Sequence, residues 1–177
     1  MFAAGIIYGS STGSTEKTAR DIAGLLQGIF HTSLFDIADA GRLQLSAFAL
    51  LLIGTSTWGL GKLQDDWEKW LPALDDQSIT GIPAAFFGLG DQDGYPETFC
   101  DGMGILCGHF LRKGIRHLGL WDPKGYHFTS SRALLGDRFA GLALDEENQP
   151  DMSGSRIDAW LKQVLGEFKL IASGAVC

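Results

Sequence analysis

The stretch Gly9-Ser-Ser-Thr-Gly-Ser-Thr15 decides the fold of this chain, because it separates an apolar run from a helical pattern. The apolar run, Phe2 to Tyr8, is typical of a buried strand, and the helical pattern begins at Glu16. Where a strand turns into a helix, free backbone N–H groups and the positive end of the helix dipole converge on one point. The turn therefore predicts an anion site with these candidate residues: Ser10, Ser11, Thr12, Gly13, Ser14 and Thr15.

The composition of this turn restricts the kind of anion, because it contains neither Lys nor Arg. A nucleoside-triphosphate loop ends in Gly-Lys-Ser/Thr, and a dinucleotide-binding turn has the pattern Gly-x-Gly-x-x-Gly. Since both patterns are absent, the turn suits a single phosphate group held by amides and hydroxyls. Clusters of Ser, Thr and Gly also occur in ordinary turns and helix caps, so this interpretation depends on the rest of the chain.

The overall charge of the chain argues against several classes of partner. A formal net charge of −7, from 21 acidic and 14 basic residues, disfavours binding to nucleic acid and to anionic membranes. The longest apolar run, Phe48 to Ile53, is too short to cross a bilayer, and no basic region precedes the polar turn near the N-terminus. We therefore expect a cytoplasmic protein without a signal peptide.

The cysteines and histidines do not predict a catalytic or metal site. The three cysteines have no metal-ligand spacing, and their odd number also favours a reducing cytoplasm. Cys100 and Cys107 share one face of a helical pattern and are expected in the core, whereas Cys177 is expected to be an exposed thiol. Neither metal spacing nor a nucleophile partner is evident for the four histidines, His31, His109, His117 and His127.

Apolar strand-like runs alternate with helical periodicity along nearly the whole chain, which we interpret as a single domain, residues 1–177. This alternation predicts an α/β fold, a doubly wound five-stranded parallel sheet with helices on both faces. Because polar, irregular residues at about 122–138 separate two apolar runs, we expect a fifth strand interrupted by a long insertion. The expected strands are Phe2–Tyr8, Ser33–Phe35, Phe48–Ile53, Ala84–Phe87 and, at the fifth position, Leu118–Trp121 with Phe139–Leu144.

The helix after the fourth strand and the last helix of the chain each have a feature that the sequence predicts. Gly102, Gly104 and Gly108 interrupt the helix after the fourth strand, each at a cost of about 1 kcal/mol relative to Ala. We interpret these glycines as positions of close packing on the sheet. The last helix is expected to begin at Ser153 or Ser155, since Ser is a common helix N-cap.

In a parallel sheet, ligands bind beyond the carboxyl ends of the strands, which brings three loops of this chain to one edge. The loops follow the first, third and fourth strands, and the second and third of them carry Trp58 and Tyr95. An aromatic side chain on an exposed turn usually covers a ligand or another apolar surface. Trp58 or Tyr95 taken singly would also be typical of a partly buried loop. Two aromatic side chains beside a phosphate turn indicate a flat heterocycle with one phosphate, which describes flavin mononucleotide (FMN).

With these motifs in place, the chain resembles a flavodoxin of the long-chain type. The resemblance spans essentially the whole chain and rests on Tyr8–Glu16, Gly54–Trp58, Leu63–Trp67, Phe87–Tyr95, Gly125–Phe128 and Phe139–Asn148. It implies that FMN binds to Ser10–Thr15, with Trp58 and Tyr95 on its two ring faces. It also implies a contact between Asp145 and the ribityl chain. The backbone of Thr55–Gly61 and of Leu89–Gln92 is implied to contact the ring edges, which adds these candidate residues: Thr55, Ser56, Thr57, Gly59, Leu60, Gly61, Leu89, Gly90 and Asp91.

Two departures from the family pattern are visible. The family often has Pro where Ser56 stands and commonly an acidic residue where Lys62 stands. The resemblance implies a low-potential one-electron carrier, not an enzyme, in which FMN cycles between its neutral semiquinone and its hydroquinone. Asp91, Asp93 and the net charge oppose formation of the anionic hydroquinone. The Gly59–Leu60 peptide is expected to flip and offer its carbonyl to the flavin, because Gly tolerates positive φ.

Several identities for the redox partner stay open at this point. The sequence of residues 88–99 and the length of the chain are similar to those of nitrogen-fixation flavodoxins, which reduce the nitrogenase iron protein. A flavodoxin that replaces ferredoxin under iron limitation, with ferredoxin–NADP reductase as partner, is the alternative. In either case we expect a monomer whose acidic residues steer basic docking surfaces: Asp65, Asp66, Asp93, Glu97, Asp145, Glu146 and Glu147.

Two other functions are compatible with a similar topology. An FMN-dependent NAD(P)H:quinone reductase would need an additional substrate pocket, and no added segment for one is evident. A phospho-receiver domain would need acidic residues after the first strand and a phosphorylatable Asp after the third. This chain has Gly9-Ser10 and Gly54-Thr55 at those places, so a receiver domain is excluded.

Overall fold

A parallel sheet with the strand order β2-β1-β3-β5-β6 forms the centre of the computed structural model, which describes residues 1–41 and 43–174. Since β1 lies between β2 and β3, the strand order reverses there, and the edge beyond β1 and β3 is where ligands are expected. The strands are β1 Phe2–Gly9, β2 Phe30–Asp36, β3 Leu50–Trp58, β4 Lys62–Leu63, β5 Pro83–Leu89, β6 Arg116–Leu118, β7 Leu134–Leu135, β8 Arg138–Phe139 and β9 Leu142–Leu144.

Helices cover both faces of this sheet, as the sequence predicted. Alternate residues of β1 point to opposite faces, so that Ile7 packs with α2 and α3 while Ile6 packs with α1 and α4. The helices are α1 Ser14–Leu25, α2 Asp65–Leu74, α3 Asp101–Arg112 and α4 Pro150–Ala172, and two short 3-10 turns cover Ile37–Asp39 and Leu45–Ala47.

The fifth strand position is divided between β6 and β9, which both pair in parallel with β5. This confirms the predicted interruption, but the chain leaves the sheet after Leu118 and returns only at Leu142, so the insertion is longer than 122–138. The reason is that Trp121 and Phe139 bridge each other inside the insertion. Their apolar neighbours therefore pack within the insertion instead of extending the sheet.

The glycines of α3 divide into two groups. A Cβ at Gly102 would lie 2.6 Å from the carbonyl oxygen of Ser56 in β3, which confirms close packing on the sheet. A Cβ at Gly104 would collide with the backbone of Arg132, so this glycine allows the insertion, and not the sheet, to pack closely against α3. At Gly108 the nearest atom, Nη1 of Arg112, lies 3.8 Å away, so the packing interpretation fails there.

The start of α4 corrects another expectation. The helix begins at Pro150 after Gln149, earlier than Ser153 or Ser155, because Pro is well suited to the first helical position. Ser153 instead lies buried inside the helix and donates a hydrogen bond to Glu146.

The cysteines that the structure describes lie where the sequence placed them. Cys100 and Cys107 are buried free thiols, and burial raises the pKa of Cys107 to about 12. Cys177 is outside the described residues, so its exposure stays a prediction. Among the described residues, no helix has both the length and the apolar character needed to cross a membrane.

Candidate functional site

A cavity of about 280 Å³ lies at the carboxyl edge of the sheet, where the loops after β1, β3, β5 and β9 meet. Eleven of the predicted site residues line it, namely Thr12, Ser14, Thr15, Ser56, Thr57, Trp58, Gly59, Leu89, Gly90, Asp91 and Tyr95. Seven others are outside the lining: Ser10, Ser11, Gly13, Thr55, Leu60, Gly61 and Asp145. The lining also includes three residues that were not assigned to the site from the sequence, Thr98, Glu146 and Glu147.

One end of the cavity is formed by the turn before α1. Gly13 adopts a left-handed conformation, with φ of 92°, and its N–H donates to Ser10 Oγ at 3.1 Å. The first N–H groups of α1 have no partner within the helix and face outward from its N-terminus. Thr15 is almost completely buried, with 1% of its surface exposed, which fixes this end of the cavity.

The nearby cations do not serve this turn. Lys17 Nζ lies 3.0 Å from Asp21, and Arg20 Nη2 lies 2.6 Å from Glu16, so both cations pair with acidic residues of the same helix. Among the residues that the structure describes, no Lys or Arg lines the cavity. An anion bound here would therefore be stabilised by main-chain dipoles and hydroxyls.

Gln64 holds the turn in place, although its position in the sequence predicted no contact with FMN. Its side chain is buried, and Nε2 donates to Ser11 Oγ at 3.3 Å while Oε1 accepts from the N–H groups of Asp66 and Trp67. A Cβ at Gly9 would lie 2.5 Å from Oε1 of Gln64, so only glycine fits at the end of β1. The start of α2 and the turn before α1 are thus fixed to each other.

Two exposed aromatic side chains flank the other end of the cavity. Trp58 is 40% exposed and Tyr95 is 48% exposed, although large apolar groups of this size are normally covered. The indole N–H of Trp58 donates to Ser56 Oγ at 2.9 Å. Ser56, one of the two departures from the family pattern, therefore orients the indole.

Asp91 gives this wall of the cavity a negative charge. Its Oδ1 accepts hydrogen bonds from the N–H groups of Gly94 at 2.7 Å and Asp93 at 3.1 Å, and from Asn148 Nδ2 at 2.8 Å. These bonds, that of Gly94 first, hold the pKa of Asp91 below its ordinary value. Glu146 and Glu147 add carboxylates to the same lining.

Asp145 is completely buried, so the prediction that it belongs to the acidic surface for partner docking is wrong. One carboxylate oxygen accepts from the N–H of Gln92 at 3.1 Å, and the other accepts from the N–H groups of Glu147 at 3.2 Å and Asn148 at 3.0 Å. The residue therefore connects the loop after β5 to the segment after β9. This position favours an effect on the cavity through these two loops.

We expect Asp145→Asn to lower the free energy of unfolding by about 3 kcal/mol, since hydrogen bonds to a charged group contribute about 1.5–3 kcal/mol each. The amide replaces one acceptor oxygen by a donor that faces backbone N–H groups. Urea unfolding measures the change, and Asp158→Asn on the exposed face of α4 is the matched control. Equal stability of the two variants would contradict this role of Asp145.

The insertion supports the loop that carries Tyr95. The N–H of Thr129 donates to the carbonyl of Pro96 at 2.7 Å, and the N–H of His127 donates to Gln92 Oε1 at 2.6 Å. Phe99 at the end of the loop packs with Phe128 of the insertion, with ring centroids 5.6 Å apart. The long insertion is therefore part of the structure that fixes this side of the cavity.

Comparisons with known proteins agree with this geometry. The family model described as flavodoxin matches residues 6–160. The chain belongs to the flavodoxin family. It is 42% identical to a flavodoxin of Synechococcus elongatus, covering 94% of this chain and 98% of that protein. It is 39% identical to flavodoxin 1 of Escherichia coli K12, covering 96% of this chain and 97% of that protein.

Solved flavodoxin structures share the fold. A crystal structure of Fusobacterium nucleatum flavodoxin bound to FMN superposes with a TM-score of 0.89 at 30% identity, covering 95% of this chain and 99% of that chain. Flavodoxins are electron-transfer proteins, so this chain is an electron carrier and not an enzyme. Within the described ranges, no group of three or more His, Cys, Asp or Glu side chains is arranged to hold a metal ion.

Proposed function

We propose that this flavodoxin carries single electrons on FMN bound in the cavity of about 280 Å³. The observation that carries the proposal is the combination of a cation-free turn of hydroxyls and amides with the exposed pair Trp58 and Tyr95 on one cavity. The first suits one phosphate and the second suits the faces of a planar ring. When bound, FMN supplies one-electron redox chemistry through its isoalloxazine ring.

Each part of the lining has a defined task in this proposal. Thr12, Ser14 and Thr15 hold the phosphate with their hydroxyls and the N–H groups of the first turn of α1. Trp58 and Tyr95 cover the ring and exclude water from its faces. Gly90 lets this wall of the cavity pass close to the residue before α3, since a Cβ there would lie 2.7 Å from the backbone nitrogen of Cys100.

The same lining supports a low potential for the second electron. Asp91, Glu146 and Glu147 place negative charge around the cavity, and no lining cation compensates it among the described residues. Negative surroundings oppose the accumulation of further negative charge on a bound cofactor. We therefore propose cycling between the neutral semiquinone and the hydroquinone, and two separated one-electron steps in a reductive titration would support it. A single two-electron step would contradict it.

Gly59 is the residue that we expect to respond to the first electron, with its carbonyl oxygen as hydrogen-bond acceptor. Its φ is 49°, and no atom lies within 4 Å of a Cβ built there, so only the backbone conformation restricts the side chain. We expect Gly59→Val to lower the equilibrium constant for uptake of the first electron at least tenfold, which is a fall of about 59 mV in the first one-electron potential, because a β-branched residue is strained at this φ. Potentiometric titration measures this change.

Gly59→Asn is the matched control for this prediction, because Asn tolerates the left-handed region. We expect the Asn variant to change this equilibrium constant by no more than about twofold, a shift of about 18 mV in the first one-electron potential. An unchanged first one-electron potential in Gly59→Val would contradict the role of this peptide.

For the physiological partner, we propose a redox protein with a basic docking surface, with the nitrogenase iron protein first and ferredoxin–NADP reductase as the alternative. The net charge of −7 and the exposed acidic residues Asp65, Asp93, Glu97 and Glu147 support electrostatic steering. Rates of electron transfer to each of these two partners should fall with ionic strength. The partner reduced faster at low salt is the one supported, and rates independent of salt for both would contradict steering.

We also propose that the protein acts in the cytoplasm as a monomer. The two cysteines that the structure describes are buried free thiols, which fits a reducing environment. Sedimentation of the FMN-loaded protein under reducing conditions tests the oligomeric state.

A further inference from the structure

The turn between β3 and β4, residues 59–61, is open at one end and held at the other. Apart from its chain neighbours, no atom of the described residues lies within 4 Å of a Cβ built at Gly59, and Leu60 is 84% exposed. A Cβ built at Gly61 would instead lie 2.6 Å from Asp101 Oδ2 and 3.0 Å from Thr98 Cβ. These two side chains therefore block movement of Gly61 toward α3.

The first turn of α3 contacts the chain on both sides of this connection. The N–H of Gly102 donates to Thr57 Oγ1 at 3.1 Å, which fixes the end of β3. Asp101, the preceding residue of the helix, contacts Gly61 directly before β4. Because both contacts come from consecutive residues of one helix, the two ends of the connection are fixed to the same rigid element, whereas the tip of the turn is exposed.

Asp101 is itself held by the insertion. Only 3% of this residue is exposed. Its Oδ1 accepts a hydrogen bond from the N–H of Arg132 at 2.7 Å, and its Oδ2 lies 3.6 Å from Arg132 Nε. The Arg132 side chain is 70% exposed, so the ion pair contributes little and the backbone hydrogen bond is the stronger constraint. One carboxylate thus contacts the insertion through Oδ1 and the turn through Oδ2.

We propose that Asp101 is a positioning residue for electron uptake, which holds Gly61 against α3 and so confines the response to the first electron to the Gly59–Leu60 peptide. A turn that is already fixed at one end loses less conformational entropy when its carbonyl accepts a hydrogen bond. The inference rests on the proposed function, because the first electron arrives on FMN. Through Arg132, it gives the long insertion a part in setting the first one-electron potential.

The first test measures ¹⁵N relaxation of the cofactor-free, full-length chain, so its result does not depend on FMN. We expect an order parameter of about 0.85 for the N–H of Gly61, as in rigid backbone, and below about 0.6 for Gly59. Asp101→Ala should lower the value of Gly61 below about 0.6. Asp101→Asn keeps the shape and the acceptor Oδ1, so it should leave Gly61 near 0.85. Unchanged backbone signals of α1 and α4 show that each variant is folded.

The second test is potentiometric titration of the FMN-loaded variants. Asp101→Ala should lower the equilibrium constant for uptake of the first electron at least fivefold, a fall of about 41 mV in the first one-electron potential. Asp101→Asn should change this constant by no more than about twofold, or about 18 mV. Both variants remove the same negative charge, so they should raise the second potential alike, and a difference in the first potential reports position and not charge.

The inference is overturned if Gly59 and Gly61 have equal order parameters in the unmodified chain, an outcome that requires no variant to fold. Equal shifts of the first potential in Asp101→Ala and Asp101→Asn would also overturn it. Failure of the unmodified chain to bind FMN would contradict the proposed function instead, and the order parameters would still decide whether Asp101 holds Gly61.

Discussion

Replacing Thr12 by aspartate is expected to weaken FMN binding at least 100-fold, a loss of about 2.7 kcal/mol. Thr12 lines the phosphate end of the cavity, where no cation among the described residues would offset an added carboxylate. Two unit charges about 4 Å apart near a protein surface repel each other by about 4 kcal/mol, and a phosphate carries more than one charge. Because Thr12 is exposed, part of this repulsion is screened by solvent.

Thr12→Asn is the control for this effect, because it has nearly the same shape as Asp and no charge. Riboflavin provides a second control, since it lacks the phosphate and should bind Thr12→Asp and the unmodified chain within about threefold. Fluorescence titration with both flavins measures the four affinities. If Thr12→Asp weakened riboflavin as much as FMN, the carboxylate would be disturbing the ring end or the fold, and the phosphate assignment would be contradicted.

Gly104→Ala is expected to lower the free energy of unfolding by about 2 kcal/mol, the largest effect on stability that we predict for the addition of a single methyl group. The new Cβ would collide with the backbone of Arg132, and backbone cannot rotate away as a side chain can. Asp101 reinforces this contact, since its Oδ1 accepts from the N–H of Arg132 at 2.7 Å. The insertion must therefore move as a unit, and the midpoint of thermal unfolding should fall by roughly 4–8 °C.

Gly108→Ala on the same helix is the matched control. Its Cβ meets only the end of the flexible Arg112 side chain, 3.8 Å away, so the gain in helix propensity is not opposed. We expect an increase in stability of up to about 1 kcal/mol. Urea unfolding without FMN measures both variants, since bound cofactor would add its own stabilisation. Changes of the same sign in the two variants would contradict the assignment of Gly104 to the insertion contact.

These glycines show that the sequence predicts where a helix packs closely but not which residues it packs against. Three glycines in one helical pattern indicated close packing, but the residues that approach Gly102 and Gly104 are distant in sequence, and Gly108 has no close neighbour outside its own helix. Arg132 lies in the insertion, whose path over α3 follows from tertiary contacts that no local pattern reports. Periodicity therefore located the strands and helices, whereas the partners of Gly102 and Gly104 could be identified only from the fold.

At the fifth strand, the apolar pattern predicted the interruption but not which apolar residues belong to the sheet. Apolar runs at Leu118–Trp121 and Phe139–Leu144 predicted an interrupted strand, and β6 and β9 confirm the interruption. The ends of these runs pack with each other in the insertion, as the bridge between Trp121 and Phe139 shows. A residue buried in an insertion and a residue buried in a sheet have the same apolar signature, so the sequence could not separate them.

In the candidate site, the turns were easier to predict than the residues that support them. The hydroxyl-rich turn and the aromatic pair were evident in combination, because the loops that carry them follow parallel strands and therefore meet at one edge of the sheet. Gln64 and Asp145 act through buried hydrogen bonds to loops that are 53 residues away in the chain. A single polar residue near an apolar stretch gives no such signal, and neither does Thr98, which lines the cavity from an otherwise ordinary loop.

The measurement that tests the central claim most directly is a parallel titration of the purified, cofactor-free chain with FMN and with riboflavin, followed by quenching of flavin fluorescence. We expect one FMN per chain, with an affinity at least 100-fold higher than that of riboflavin, because the amides and hydroxyls of the first turn of α1 act only on the phosphate. Failure to bind FMN, or equal affinities for the two flavins, would contradict the account.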